Sequence, residues 1–325
     1  MNKQITLSMM SDELAKAKTS KKEFLDKMEH LIPWDEFIGM IKPIYYKGEI
    51  GNKPYDLELM LRIFILQNLY DLADMKAMNE VIDSRAFSAF CGVDSPNQVP
   101  DGDTIGRFRN LLEKHEIQEK IFAKVVEILT KKKLILKRGT IVDSTLIAAP
   151  ASTKNQKKER DPDAHSTKKG NLWYFGFKAH IGVDKEYGLV HTVKATSANA
   201  HDVTMTSELL HGEEDDMYGD NGYQGANKRE DAIIYNKNGK KIKYIINRKR
   251  STIKKLSKSG QYKAKRKERE KSSVRAKVEH VFAVVKRQLG YRRTRYRGLK
   301  KQISKINIMF ALANLILADR PCLKA

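Results

Sequence analysis

Residues 173–196 read WYFGFKAHIGVDKEYGLVHTVKAT. Apolar and polar positions alternate from Trp173 to Val183 and again from Leu189 to Thr196, with Gly188 between them as a turn, so the segment predicts a β-hairpin. Upstream, the period is helical. Ser20 is placed to cap a helix carrying Phe24, Met28 and Leu31, and Asp56 precedes an unbroken apolar run from Leu57 to Leu69. A third helix is expected from about Met75 to Phe90. A fourth, marked by Ile105, Phe108, Leu111 and Leu112, follows the turn-rich residues 95–103. Arg107 and Arg109 fall off the apolar face of that helix, which suits either a helix-turn-helix DNA reader or an ordinary bundle.

The pattern changes near Lys137. Thr140-Ile141-Val142 predicts a strand ending at Asp143. The hairpin follows, then a helix from His201-Asp202, a strand Met217–Asp220, a helix Ala226–Tyr235 and a strand Ile242–Ile246. Helices Ser272–Leu289 and Ile303–Ala318 complete the chain. This order predicts an α/β fold: a mixed-sheet domain over residues 136–320 behind an all-α N-terminal domain over 1–135.

Charge narrows the partner. The 325 residues hold 62 Lys plus Arg against 40 Asp plus Glu, a formal net charge of +22. Residues 237–301 hold 26 of those bases and only three acids, Glu268, Glu270 and Glu279, so the rest of the chain is near neutral. A concentrated basic surface draws polyanions through counterion release, and nucleic acid is the favoured partner. Tyr244, Tyr262, Tyr291 and Tyr296 interleave the stretch, which a solvated tail would not require. The longest apolar run, Ile306–Leu317, is interrupted by Asn307 and Asn314 and falls short of the roughly 18 to 20 residues of a bilayer span, so no membrane partner is expected. Met1–Asp12 has no secretory pattern, and the two cysteines, Cys91 and Cys322, are isolated; a cytoplasmic, nucleoid-associated location fits, without a cysteine zinc module.

Three acids carry the chemistry. Asp143, flanked by core residues, is a strand-end cap or a cation ligand; Asp220, in Tyr218-Gly-Asp-Asn-Gly-Tyr-Gln-Gly225, is a turn former or a second ligand. At 100° per residue Arg275, Glu279 and Lys286 fall within about 40° of one another, beside the apolar stripe of Val274, Val278, Val281, Phe282, Val285 and Leu289. A lone Glu on a basic helix is ordinarily solvated or paired at i,i+4. Here it is the only acid between Lys271 and Lys301, and beside DNA it would need an intervening cation. Together the three acids match a ligand set for two-metal phosphoryl transfer on Mg²⁺ or Mn²⁺.

The sequence resembles a DDE transposase of a bacterial insertion sequence, of the insertion sequence five group. Arg275-x3-Glu279-x6-Lys286 matches the family signature, although Ser272 stands where a tyrosine is usual. Val142-Asp-Ser-Thr145, Asp161-Pro-Asp-Ala164 with Lys168 and Gly170, Tyr174 to Asp184, Asn199-Ala-His-Asp202 and Gly219-Asp-Asn-Gly-Tyr223 match further, as do Lys53–Arg62 and Val99–Arg109 in the helical part. The resemblance implies an RNase H-like catalytic domain with Asp143, Asp220 and Glu279 as catalytic, metal-binding residues for two Mg²⁺ or Mn²⁺ ions. It implies DNA contacts from Arg275 and Lys286, with Arg287, Lys168 and Lys178 on the same surface. Double-stranded DNA, as element ends and target, and a homodimer in the synaptic complex are the implied partners. Residues 248–271 read as a DNA-tracking arm, the lysine-rich 151–170 as a surface loop, and Trp173 as core or as a stacking platform. A non-transposing nuclease on this fold and a regulatory DNA binder that has lost catalysis are the rival readings.

Overall fold

The computed structural model describes residues 19–45, 53–154, 156 and 158–320; the readings made on Met1–Asp12 and Cys322 lie outside them. Seven helices come first: α1 (Ser20–Leu31), α2 (Trp34–Ile41), α3 (Leu57–Leu69), α4 (Asp74–Asp83), α5 (Arg85–Cys91), α6 (Gly102–Lys114) and α7 (Ile117–Lys131). Their starts follow from capping chemistry. The Asp56 carboxylate accepts the Leu59 N–H at 3.0 Å and Asp101 accepts that of Thr104 at 2.7 Å. Thr19, not Ser20, caps α1, accepting from Lys22 N–H at 3.2 Å. The expected third helix is two, because Ser84 adopts extended backbone (φ −104°, ψ 112°) between α4 and α5. Helix α7, absent from the sequence reading, buries Ile117, Ile121, Val125 and Leu129, a four-residue stripe set off from α6 by Glu116 at φ +54°.

Arg109 turns inward. It bonds Asp74 at 3.1 Å and Glu113 at 2.9 Å and lies 3.9 Å from the Tyr296 ring centroid. Of the two arginines expected off the apolar face of α6, only Arg107 is exposed.

The sheet has six strands: β1 (Gly139–Ala148), β2 (His165–Lys169), β3 (Leu172–Asp184), β4 (Val190–Ser197), β5 (Asp216–Gly219) and β6 (Lys243–Ile246). Strand β3 runs antiparallel to β1 on one side and to β2 and then β4 on the other; β1, β5 and β6 run parallel. The expected hairpin is β3–β4, turned at Gly188 with φ +72°. This is a mixed, RNase H-like sheet.

Two local expectations change. Asp143 lies inside β1 rather than at its end, because Ser144–Ala148 go on pairing with His180–Gly176 of β3. Residues 226–235 form only a turn at Ala226–Lys228, since Arg229 and Ser207 both bind Asp231 at 2.8 Å and no four-residue apolar stripe exists to bury. The short helix α8 (Thr206–Leu209) precedes β5, and after β6 come α9 (Arg250–Lys254) and α10 (Lys258–Ala283), which continues through a π-turn at Val284–Gln288 into the segment before α11 (Leu299–Ala318). The basic stretch expected as a linker is thus largely the first half of α10, capped by Ser257, which accepts the Gly260 N–H at 3.2 Å.

Helix α11 is buried almost all round, from Ile306 to Leu317. It shares one continuous core with the N-terminal helices (Leu61, Phe108, Val125), the sheet (Ile141, Ile181) and α10 (Val278, Val281). Its polar exception is functional to the packing: Asn314 accepts from Val190 N–H at 2.8 Å and donates to Val190 C=O at 2.7 Å, pairing the start of β4 as a neighbouring strand would. Asn314→Leu orphans both backbone groups, and at about 1 to 3 kcal/mol for a buried polar group the variant should lose roughly 2 to 4 kcal/mol in urea unfolding. A loss below about 0.5 kcal/mol would show that this pairing does not hold the sheet to the helix.

Candidate active site

The strand ends make the site. The last paired rung of β1 with β5 is Ile141 opposite Tyr218, and Tyr218 in turn pairs with Ile245 of β6. Two residues further along each strand stand Asp143, Asp220 and Asn247, in one rank at the C-terminal edge of the parallel half of the sheet. Side chains alternate faces, so Asp143 shares a face with Ile141 and Ile181, which pack in the core that contains Val278 and Val281 of α10. Val142 points the other way, into a smaller cluster with Met217, Leu209 and Tyr223.

Helix α10 crosses the open end of this rank. Asp143, Asp220 and Glu279 line one cleft of about 340 Å³, together with Lys169, Arg275, Lys286 and Arg287. Larger cavities exist, one of about 690 Å³ around Arg62 among the N-terminal helices, but they do not gather these acids. Arg275 straddles the rank: it donates to Asn247 Oδ1 at 3.1 Å and to Asp143 Oδ2 at 3.3 Å, while its buried Nε has no partner. Asp220 bends over its own turn, accepting the Gly222 N–H at 2.8 Å, so the turn-forming and cleft-lining readings hold together. Glu279 is exposed on the cleft side of α10.

Three carboxylates in so small a space repel. Burial pushes Asp143 up to about 6, and the charges of Asp220 and Glu279 push the same way, against Arg275 and the Ser144 N–H. A set of carboxylate oxygens suits a hard divalent cation, and Asp143, Asp220 and Glu279 are the residues that would hold it. Among the described residues no three acid, histidine or cysteine side chains converge closely enough to grip one ion as they stand; Arg275 is the cation beside Asp143.

The basic residues divide. Lys286, in the π-turn, donates to Leu146 C=O at 2.7 Å, and burial with the neighbouring Lys169 and Arg292 lowers its pKa. Arg287 is exposed at the cleft rim. Lys168 is not brought to the cleft. The β2–β3 turn at Gly170-Asn171 sets Lys168 opposite Trp173 and Lys169 opposite Leu172, and Lys169 is the one that lines it. Lys178 lies on the other face of the sheet, bound to Asp202 at 2.9 Å and Ala200 C=O at 2.7 Å. Asp202 is thereby the ion-pair partner of Lys178. Asn247 was missed; only its register with Asp220 singles it out, and register is a tertiary property.

The comparisons with known proteins agree with this arrangement. A family model described as Transposase DDE domain matches residues 135–315, and one described as Transposase domain (DUF772) matches residues 12–111. The fold and site define a nucleotidyl-transferase type of enzyme. The chain belongs to the DDE transposases of insertion sequences. No solved structure matches it.

Burial of the Asp143 carboxylate gives a stability prediction. A carboxylate whose folded pKa is raised costs the fold nothing when protonated and its full penalty above that pKa, so the cost appears between pH 3.8 and about 6. In the presence of EDTA, Asp143→Asn should raise the thermal midpoint at pH 7.5, by the equivalent of roughly 1 to 3 kcal/mol, with the gain vanishing near pH 4. A variant less stable than wild type at pH 7.5 would mean that the Arg275 pair outweighs the burial cost.

Proposed function

We propose that this transposase binds the terminal inverted repeats of its element, hydrolyses a phosphodiester at each end and joins the freed 3′-hydroxyl to target DNA. The observation that carries the reading is the single cleft in which Asp143, Asp220 and Glu279 meet, bordered by Lys169, Arg275, Lys286 and Arg287. Divalent cations, two Mg²⁺ or Mn²⁺, held by these three acids would supply an activated water or 3′-hydroxyl and stabilise the leaving oxygen.

The side chains do the rest. In the first step water bonds to phosphorus, the bond to the 3′ oxygen breaks, and that oxygen leaves as a 3′-hydroxyl; in the second, that hydroxyl displaces a 3′ oxygen of the target. Arg275, fixed by Asn247 and Asp143, is aimed at the crowded oxygens of the phosphate undergoing substitution. Lys286 and Arg287 border the strand beside it. Residues 248–271, carried on α9 and the first half of α10, extend the basic track beyond Asp220. A cavity of about 830 Å³, lined by Arg248, Arg250, Lys254 and Arg269, opens there and shares Asp220 and Arg275 with the cleft. Residues 1–135 are assigned to gripping the element end, and residues 136–320 to cutting it. Synapsis of two ends by a homodimer is part of the same reading.

Asp143→Asn, Asp220→Asn and Glu279→Gln should each cut strand cleavage in Mg²⁺ by at least about 1,000-fold, while gel-shift affinity for the flanking DNA changes less than about threefold. A variant that cleaves at the wild-type rate removes that residue from the triad. A wild-type chain that binds but does not cleave in any divalent metal is a regulatory derivative, and one that cleaves without joining a pre-cut end is a nuclease.

A further inference from the structure

Strands β2 and β3 make a two-stranded ribbon that extends past the body of the sheet. Of its five rungs, only the one at Gly176 is also paired to β1. The tip is a two-residue turn, Gly170-Asn171, with Gly170 at φ +63°. Beside that turn each face of the ribbon carries one apolar side chain opposite a lysine. Trp173 is opposite Lys168, whose Nζ lies 6.0 Å from the indole, and Leu172 is opposite Lys169.

Trp173 is 69% exposed and Leu172 64%. The sequence reading of Trp173 as core packing is therefore overturned, and the alternative it named, a stacking platform, is the one left standing. An exposed Trp–Leu pair is costly to keep in water, and one at a turn flanked by cations does not suit an apolar protein partner. A polyanion whose flat apolar faces become accessible on distortion suits it well: DNA at an opened base step. The position is specific. Lys169 lines the cleft that contains Asp143, Asp220 and Glu279, and its charge acts on Lys286 across that cleft. Leu172, on the face it shares with Lys169, is therefore turned to the acids, and Trp173 with Lys168 occupies the opposite face of the same tip.

From this we infer that the β2–β3 tip is a DNA wedge that enters where the duplex opens next to the acid cleft: Leu172 and Lys169 face the strand held in the cleft, while Trp173, on the other face, stacks on an exposed base of the strand parted from it and Lys168 holds the adjoining phosphate. It rests on the reading that the cleft takes DNA. It adds that the enzyme acts on a locally unpaired end and that this ribbon holds the end open.

The chain has two tryptophans, and Trp34 sits half-buried in α2 with its indole N–H bonded to Glu29 C=O at 3.1 Å. In Trp34→Phe the emission therefore reports Trp173 alone. Adding a duplex with an unpaired fork should quench it and protect it from acrylamide, and a fully paired duplex of the same sequence should do so less. In the otherwise wild-type chain, Trp173→Ala should bind the forked duplex about tenfold more weakly, keep its affinity for paired DNA and retain a circular-dichroism spectrum like that of wild type. Trp173→Phe should recover part of the loss. If Trp34→Phe fails to fold, 2-aminopurine at the fork, read with wild type and Trp173→Ala, replaces it: only wild type should quench the probe.

Equal quenching and equal affinity on forked and paired DNA would overturn the wedge. So would protection of Trp173 that rises with protein concentration in the absence of DNA, which would assign the tip to a second copy of the chain. Cleavage by wild type, measured alongside, separates the two readings. A chain that cleaves normally after Trp173→Ala and shows no fork preference loses the wedge and keeps the transposase mechanism, whereas one that binds neither DNA loses both.

Discussion

Burial of the Asp143 carboxylate in a cleft that it shares with Asp220 and Glu279 is the constraint on which the sheet half of the structure depends. Asp143 and Asp220 stand in rank because β1 and β5 stop pairing at the same level, and Glu279 faces them because α10 packs its Val278–Val281–Phe282 stripe on that face of the sheet. Hydrophobic packing takes Asp143 out of water, and its Arg275 partner only partly offsets the result. Burial and the neighbouring acids raise Asp143 to about 6 in spite of Arg275. A buried carboxylate held at such a pKa is a stability cost of the kind that marks functional sites.

That cost is tolerable because the framework behind it is continuous. Helix α11 is enclosed by the N-terminal helices on one side and by β4 and α10 on others, so the sheet and the helical part do not have separate interiors. Polar contacts lock the same junction. Tyr296 is held under Arg109 and bonded to Asp74 at 3.2 Å, and Lys305 reaches Asn68 at 2.9 Å. The segment between the π-turn and α11 is also tied to the end of β1, with Thr294 N–H donating to Ala148 C=O at 2.8 Å. A site built on the C-terminal edge of β1 is thus braced from both ends of the chain.

The α/β class, the β3–β4 hairpin and most of the helices were legible because their periods are local. The strand-end positions of the acids were half legible: Asp220 does follow its strand, whereas β1 continues past Asp143 because its partner β3 is long, which no feature of Thr140–Thr145 reveals. The helix from 226 to 235 was a misreading of composition without a stripe, and the basic linker became helix because lysine and arginine are good helix formers once Ser257 supplies a cap. Around the cleft, Glu279 stood out by being an acid among bases. Lys169, Asn247 and the exposure of Trp173 depend on register and on what lies across a turn, and sequence spacing carries those only when the partner strand has already been found.

The central claim is that Asp143, Asp220 and Glu279 act as one cation-binding unit. Calorimetric titration of Mn²⁺ into the full-length wild-type chain and into Asp143→Asn, Asp220→Asn and Glu279→Gln tests it most directly, at pH 6 and pH 8. Wild type should bind at both, releasing protons at pH 6 but not at pH 8 as Asp143 gives up its proton, and each substitution should weaken binding at least about tenfold. Wild-type affinity in any of the three variants would contradict the unit.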